Sequence, residues 1–441
     1  MDLTRFLGAR PPTKVSAAET AADPRALRGD SDAIATSIAK FLDKTGLFDR
    51  DHYLRAHADV ARSGLDPLHH FVRVGIHAGR SFTTLERIAR LWREVLRAEE
   101  TQAPPSAPAD PSRCRVAIYV SSLGNFFMSE IAEVLRAGFA DAGVPAEIRD
   151  ESGEPLRGAT HHIVVAPHEF FTLGQGRRWA NDDFVSRAIL FSTEQLQTPW
   201  FALSLVFLLR AKAVADMNEQ NASIFRKAGV RAVSVQPGYS PTFAPFAEPL
   251  LDRRSPVFAA LPKAAQDFTA VAAPLARRPL DVLFLGTHSA RRAKLLASYA
   301  EKFADLTAFI YYTKLQRPLA PAHNPMAASE VTAALLQRSK ILLNIHRDEY
   351  TYLEWWRLMQ AFWHKTVVVT EPCFPHAVFK PGVHFFEESG RHAHHLVEWL
   401  ARSSEGLANA SEVRERAFKD LVEHASAKAA ALTLLDAGAA A

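Results

Sequence analysis

Only two cysteines, Cys114 and Cys373, occur in this 441-residue chain. They are far apart and neither has a Cys-x-x-Cys partner, so neither a disulfide framework nor a structural zinc site is expected, and a reducing, cytoplasmic setting fits. Long hydrophobic runs are also scarce. The most apolar stretch, Trp200 to Leu209, is too short to cross a bilayer and ends at Arg210, so a core helix and no transmembrane segment are expected. The opening residues Met-Asp-Leu-Thr-Arg-Phe-Leu lack a basic start followed by an apolar run and a cleavage site, so no secretory signal is read. Charge of one sign is not in excess: 52 Lys and Arg against 48 Asp and Glu leave a net +4, with a pI near 9.0. With no concentrated basic tract, nucleic acid is not an expected partner, while an anionic ligand or a peripheral membrane contact is allowed.

Several motifs are absent. There is no Gly-x-Gly-x-x-Gly fingerprint, Walker loop or Gly-x-Ser-x-Gly elbow, which argues against dehydrogenase, kinase and α/β-hydrolase chemistry; Gly174-Gln-Gly176 is too little to count. Asp-x-Asp occurs at Asp30-Ser-Asp32 and Asp49-Arg-Asp51, away from any Rossmann-type strand end, so no metal is expected. No solenoid-period repeat appears.

What is present divides the chain into segments. Residues 1–31 lack periodicity and suggest a mobile tail. Residues 32–100 read as a helical module: Ile34, Ile38, Phe41 and Leu42, and later Leu85, Ile88, Leu91 and Val95, recur at helical spacing. Gly64, Gly75 and Gly79 would end helices or turns, and Asp66 would cap the helix entered through Pro67. Its five histidines, at 52, 57, 69, 70 and 77, share no consistent face with a carboxylate and read as surface and core groups. The Pro-rich residues 101–112 form a linker. From 113 to 245 apolar strands alternate with helices, an interruption follows at 246–279, and a second alternating series occupies 280–400. This is an α/β pattern, with two Rossmann-like domains preceded by a small all-helical domain. Residues 401–441 are expected to hold a C-terminal helix, Val413 to Leu435, packing back across the first domain.

The densest chemistry lies in Ile341 to Pro372, a buried strand, a polar loop, a helix and a second buried strand, which places charged groups at the carboxyl edge of a parallel sheet. His346 and Arg347 follow the first strand; Glu354 and Arg357 open the helix. Four polar groups between two apolar strands exceed what a purely structural loop needs. Arg347 or Arg357 suits phosphate as a permanently charged fork donor. Upstream, Gly286 ends another apolar strand, where a missing Cβ lets backbone approach a phosphate, and Arg291 and Arg292 follow on the next helix. Glu371 ends the later strand and suits either a ligand-facing carboxylate or an ion pair. Trp355 and Trp356 read as core or base-stacking groups. In the first half, His168 and Glu169 follow a strand and would act as a general base on an acceptor hydroxyl if a turn brings them together.

The order Ile341 to Pro372 resembles the donor-binding half of GT-B glycosyltransferases, closest to the CgeB-like branch. The string from Tyr53-Leu through Asp59-Val60, Asp66-Pro67-Leu, His70-Phe71, Gly75 and Gly79-Arg80 resembles a helical module attached to bacterial polysaccharide glycosyltransferases. The resemblance implies a GT-B fold, a metal-independent transferase with a nucleotide sugar as co-substrate, and a protein or glycan acceptor held by residues 113–245. It also implies donor contacts from Gly286, Arg291, Arg292, His346, Arg347, Tyr352, Arg357, Gln360 and Glu371, and chemistry from His168, Glu169 and Glu354. Retaining members carry a Glu-x₇-Glu pair; here Tyr352 and Gln360 occupy that register, and Gln360 would hydrogen-bond a ribose. The rival implication is a GT-B-shaped sugar-binding scaffold without turnover. Oligomeric state is not indicated.

Overall fold

The structure is a computed structural model describing residues 31–97, 109–247, 251–268, 274–313, 329–347 and 352–439. The expected tail, except Ser31, and most of the linker lie outside the described residues.

Runs of Val, Ile, Leu and Ala that are apolar on both sides form strands buried on both faces, as a doubly wound parallel sheet requires. Strands β1 (Val116–Tyr119), β2 (Ala146–Arg149), β3 (His161–Val165), β4 (Ala188–Ser192), β5 (Ala213–Asp216) and β6 (Ala232–Ser234) make a parallel sheet of order β2-β1-β3-β4-β5-β6. Strands β7 (Leu280–Thr287), β8 (Ala308–Thr313), β9 (Ser339–Asn344), β10 (Val367–Thr370) and β11 (Phe386–Glu387) make a second, of order β11-β10-β9-β7-β8. The strand periodicity of two divides each sheet between two cores. Ala117, Tyr119, Val164 and Leu190 face one way and Val116, Ile118, Ile163 and Ile189 the other. In the second sheet Leu283, Leu342 and Val368 oppose Val282, Ile341, Leu343 and Val369. The chain is therefore two Rossmann-like α/β units.

The helices named below are α1 (Ser31–Thr45), α2 (Leu85–Arg97), α3 (Phe126–Asp141), α4 (Pro199–Leu208), α5 (Glu219–Lys227), α6 (Ala290–Tyr299), α7 (Ser329–Arg338), α8 (Trp355–Trp363), α9 (Ala393–Arg402), α10 (Ser404–His424) and α11 (Ala427–Ala439). The N-terminal helices share a core with the first sheet: Ile38, Phe41, Phe71 and Trp92 belong to the same buried cluster as Phe201 and Phe225 on α4 and α5. Asp66 caps its helix by accepting from the His69 amide at 2.8 Å, and Gly64 takes the left-handed C-cap at φ 71°. Gly75 ends the helical segment Phe71–Gly75, as expected, and a Cβ there would sit 2.5 Å from the Tyr53 hydroxyl, so close packing also favours glycine.

The single C-terminal helix expected from Val413 to Leu435 is two helices. The ladder breaks where the Tyr239 amide donates to Ala425 O at 2.9 Å and the Ala427 amide donates to Tyr239 O at 2.8 Å. Before the break α10 packs on α8 and α9 of the second unit; after it α11 packs on α3 of the first, as expected. The α3–α11 contact runs through Gly138, where any Cβ would overlap the Ala427 carbonyl. Gly138→Ala is therefore expected to lower stability by about 1–3 kcal/mol through overpacking, read as a reduced denaturant midpoint at unchanged m-value; an unchanged midpoint would contradict the contact.

Candidate functional site

Each sheet order reverses once, and ligands of open α/β sheets bind beyond the carboxyl ends of the strands at that reversal. In the second sheet the reversal falls between β7 and β9, neighbours that send the chain to opposite edges. Gly286, Thr287 and Ser289 lie on one lip and Ile345, His346 and Arg347 on the other. Ser289 caps α6 by accepting from the Arg292 amide at 3.1 Å, and its hydroxyl donates across the lips to Arg347 O at 2.6 Å.

Arg292 joins the same two lips from beneath. Its guanidinium is nearly inaccessible, donating from Nε to Ile345 O at 2.9 Å and from Nη1 to Thr287 O at 3.0 Å. Burial, then the neighbouring Arg357, lowers its pKa to about 10, so it stays charged. Gly286 serves this cation: a Cβ there would lie 3.0 Å from Arg292 Nη1 and 3.1 Å from Phe284 Cζ.

Arg291 and Glu371 form a two-pronged ion pair, with Nη1 to Oε2 at 2.7 Å. The pair clamps the backbone of His346, whose carbonyl accepts from Arg291 at 3.0 Å and whose amide donates to Glu371 at 2.8 Å. The His346 side chain is only 2% exposed, and among the described residues neither ring nitrogen has a hydrogen-bond partner. Nδ1 stands 3.6 Å from Glu354 Oε1, outside hydrogen-bond reach.

Glu354 precedes the first turn of α8. Arg357 Nε reaches its Oε2 at 2.9 Å while the same guanidinium donates to Leu285 O. Burial alone would raise the Glu354 pKa, but Arg357, His346 and Arg292 together overcome it and hold the carboxylate at about 2. Arg347 is exposed and forms no ion pair among the described residues. Four arginines against Glu354 and Glu371 leave this rim with a surplus of two positive charges.

The first sheet reverses between β1 and β3. After β1, the buried Glu151 accepts from the Ser122 amide at 2.8 Å and hydroxyl at 2.6 Å, fixing the loop 121–125. After β3, Ala166 adopts φ 53°, and the chain turns at once into a short helix, Pro167–Phe170. That turn removes the alternation that would have sent His168 and Glu169 to opposite faces. Glu169 accepts from the Asn125 amide at 3.0 Å and from its side-chain amide; burial raises its pKa. His168 Nε2 lies 4.0 Å from Glu169 and 3.4 Å from Glu194 Oε1. A buried imidazole thus sits beside two carboxylates. Glu194 follows the end of β4, where the sequence places Thr193-Glu194-Gln195 at the close of a strand pattern.

The rims face one another across the seam between the units. Gln195 donates to the Tyr352 hydroxyl, and the Tyr352 ring lies 6.3 Å from that of His346. Gln360, expected to meet a ribose, instead donates to the buried Glu130 of α3 at 2.9 Å, because its place on α8 faces the first unit. Trp356 donates to the same carboxylate oxygen at 2.8 Å, and Trp355 to Pro237 O at 2.8 Å, so both indoles belong to the seam. Among the described residues the metal-ligand-like group of three is Asp420, Glu423 and His424, on α10 and outside both rims. No described helix is long and apolar enough to cross a membrane.

No protein-family model and no curated protein matches the chain. Among solved structures, it is similar to Anabaena HepE in complex with UDP and glucose, with TM-score 0.46 and 9% identity over 72% of this chain and 97% of that one. It is also similar to an alpha-glucosyltransferase in complex with UDP and a 13-mer DNA containing an HMU base, with TM-score 0.43 and 9% identity over 74% and 99%.

Because Glu354 has a depressed pKa, its stabilising effect is complete above about 4.5 and disappears as pH falls toward about 2. Glu354→Gln is expected to flatten this acid limb and to cost about 3–5 kcal/mol, since it leaves Arg357 and the buried Arg292 uncompensated. Denaturant titrations at pH 7 and pH 3 measure both; an acid limb equal to that of wild type would contradict the ion-pair cluster.

Proposed function

We propose that the chain is a metal-independent glycosyltransferase that moves a sugar from a nucleotide-sugar donor to a hydroxyl of a protein or glycan, within the GT-B class and nearest its CgeB-like branch. One observation carries the reading: the buried His346 imidazole, on a rim with surplus positive charge, lies at one topological switch point, and the carboxylate-flanked His168 imidazole lies at the other. The diphosphate sits beyond β7 and β9, where the N-terminus of α6, the His346 ring and the exposed Arg347 meet it. These charges stabilise the leaving diphosphate as it departs, the term that dominates such transfers. Arg292, Arg291 and Glu371 hold the lips rather than the ligand.

On the opposite rim, His168 takes the proton from the acceptor hydroxyl, and Glu194 and Glu169 stabilise the imidazolium. A base placed there favours a single displacement with inversion, whereas retention would need no such base. A second reading, donor binding without turnover, draws on the engagement of Glu354 with Arg357 and of Gln360 with Glu130.

Isothermal titration against a panel of UDP-, GDP- and CMP-linked sugars is expected to show binding of at least one donor. Arg347→Ala, at an exposed residue, should weaken it roughly 10- to 100-fold at unchanged melting temperature, and a folded protein that binds no donor would contradict the proposal. His168→Ala should leave donor affinity unchanged and lower kcat by roughly 10²- to 10⁴-fold; equal turnover in this variant would remove His168 from the chemistry, and no turnover in wild type would favour the binding-only reading.

A further inference from the structure

Glu130 is a buried carboxyl at the seam between the two units. It stands on α3 among Met128, Ile131, Ala132 and Leu135, all buried, and its Oε2 receives two donors from the other unit, Trp356 Nε1 and Gln360 Nε2. These sit one turn apart on α8, whose N-terminal end carries Glu354 and Arg357. Ordinary packing would fill this position with a hydrophobe, because an ionisable group buried without a countercharge destabilises the contact it makes. The charged group facing it is Glu330 at the start of α7, a like charge, and its other neighbours Ser329, Trp356 and Gln360 are neutral. Glu133 on its own helix is exposed and pairs with Arg136. Among the described residues no Lys, Arg or His forms an ion pair with Glu130.

We propose that Glu130 is a positioning residue: its carboxyl docks α8 onto the first unit, sets the gap between the two rims, and loosens that docking when it ionises. The two donors by themselves favour the carboxylate, but burial without a countercharge, with the like charge of Glu330 beside it, outweighs them; the docked arrangement therefore selects the protonated form, whereas a separated interface exposes the group to water and lets it ionise. In the docked state burial raises its pKa from 4.5 to about 7. A raised carboxyl contributes its full docking free energy below about 4.5 and loses it as pH rises to about 7, beyond which the loss is constant.

The proposal rests on the transferase reading only for its kinetic arm. Small-angle scattering of the full chain without donor at pH 5.5 and pH 8 reads the docking itself. Wild type should expand at the higher pH, Glu130→Gln should stay compact at both, and the underlying equilibrium should differ by up to roughly 100-fold. Gln360→Glu, which sets a second carboxyl against Glu130, should be compact at pH 5.5 and expanded at pH 8. In turnover assays with a donor identified by titration, wild-type kcat/KM should fall between these pH values and the Glu130→Gln profile should be flatter. Identical scattering and pH profiles for wild type and Glu130→Gln would overturn the proposal. The scattering difference without turnover in any variant would sustain the docking role and count against the transferase.

Discussion

The buried guanidinium of Arg292 is the constraint on which the rim beyond β7 and β9 depends. It bonds the carbonyl of Thr287, the last residue of β7, and that of Ile345, just beyond β9, and so fixes the width of the crevice where the chain leaves the two strands. A cation this deep is stable only with such fixed partners. Glu354 approaches it from α8 at 3.9 Å, which ties the position of that helix to the crevice. Gly286 lets the guanidinium lie close against the end of β7, since a Cβ there would come within 3.0 Å of it. Removing the bridge would leave two unsatisfied strand ends and no defined floor for a ligand.

The rims divide the work by charge. Beyond β7 and β9, arginines outnumber carboxylates, and the helix N-terminus adds partial positive charge, so an anion is favoured there. Beyond β1 and β3, Glu169 and Glu194 flank His168, a setting suited to receiving a proton. Such opposed rims match a reaction in which negative charge leaves on one side while a proton leaves a hydroxyl on the other.

Much of this was legible in the sequence, and the reasons can be named. Strands such as Ile341-Leu-Leu-Asn and Val367-Val-Val-Thr are apolar on both faces, and only a covered parallel sheet explains that pattern. His346, Arg347, Glu354 and Arg357 stood out because charge is rare between such strands. What local reading could not supply was the partner of each group. Arg291 looked like a phosphate ligand until Glu371, distant in sequence, proved to hold it. Gln360 was placed by register against a motif, but its face of α8 is decided by docking onto α3. Glu194 and Glu151 act through residues far along the chain, and the break at Ala425 comes from Tyr239, which no helical periodicity reveals. Glu130 did leave a trace, as a lone carboxylate among the apolar positions of an amphipathic helix.

The most direct test of the central claim is a crystal structure of the chain soaked with a nucleoside diphosphate. The account predicts the two phosphates beyond the ends of β7 and β9, within hydrogen-bond distance of the His346 ring or the Arg347 guanidinium, with the Arg291–Glu371 pair intact. Phosphates bound elsewhere, or bound only after that ion pair opens to release Arg291, would contradict it.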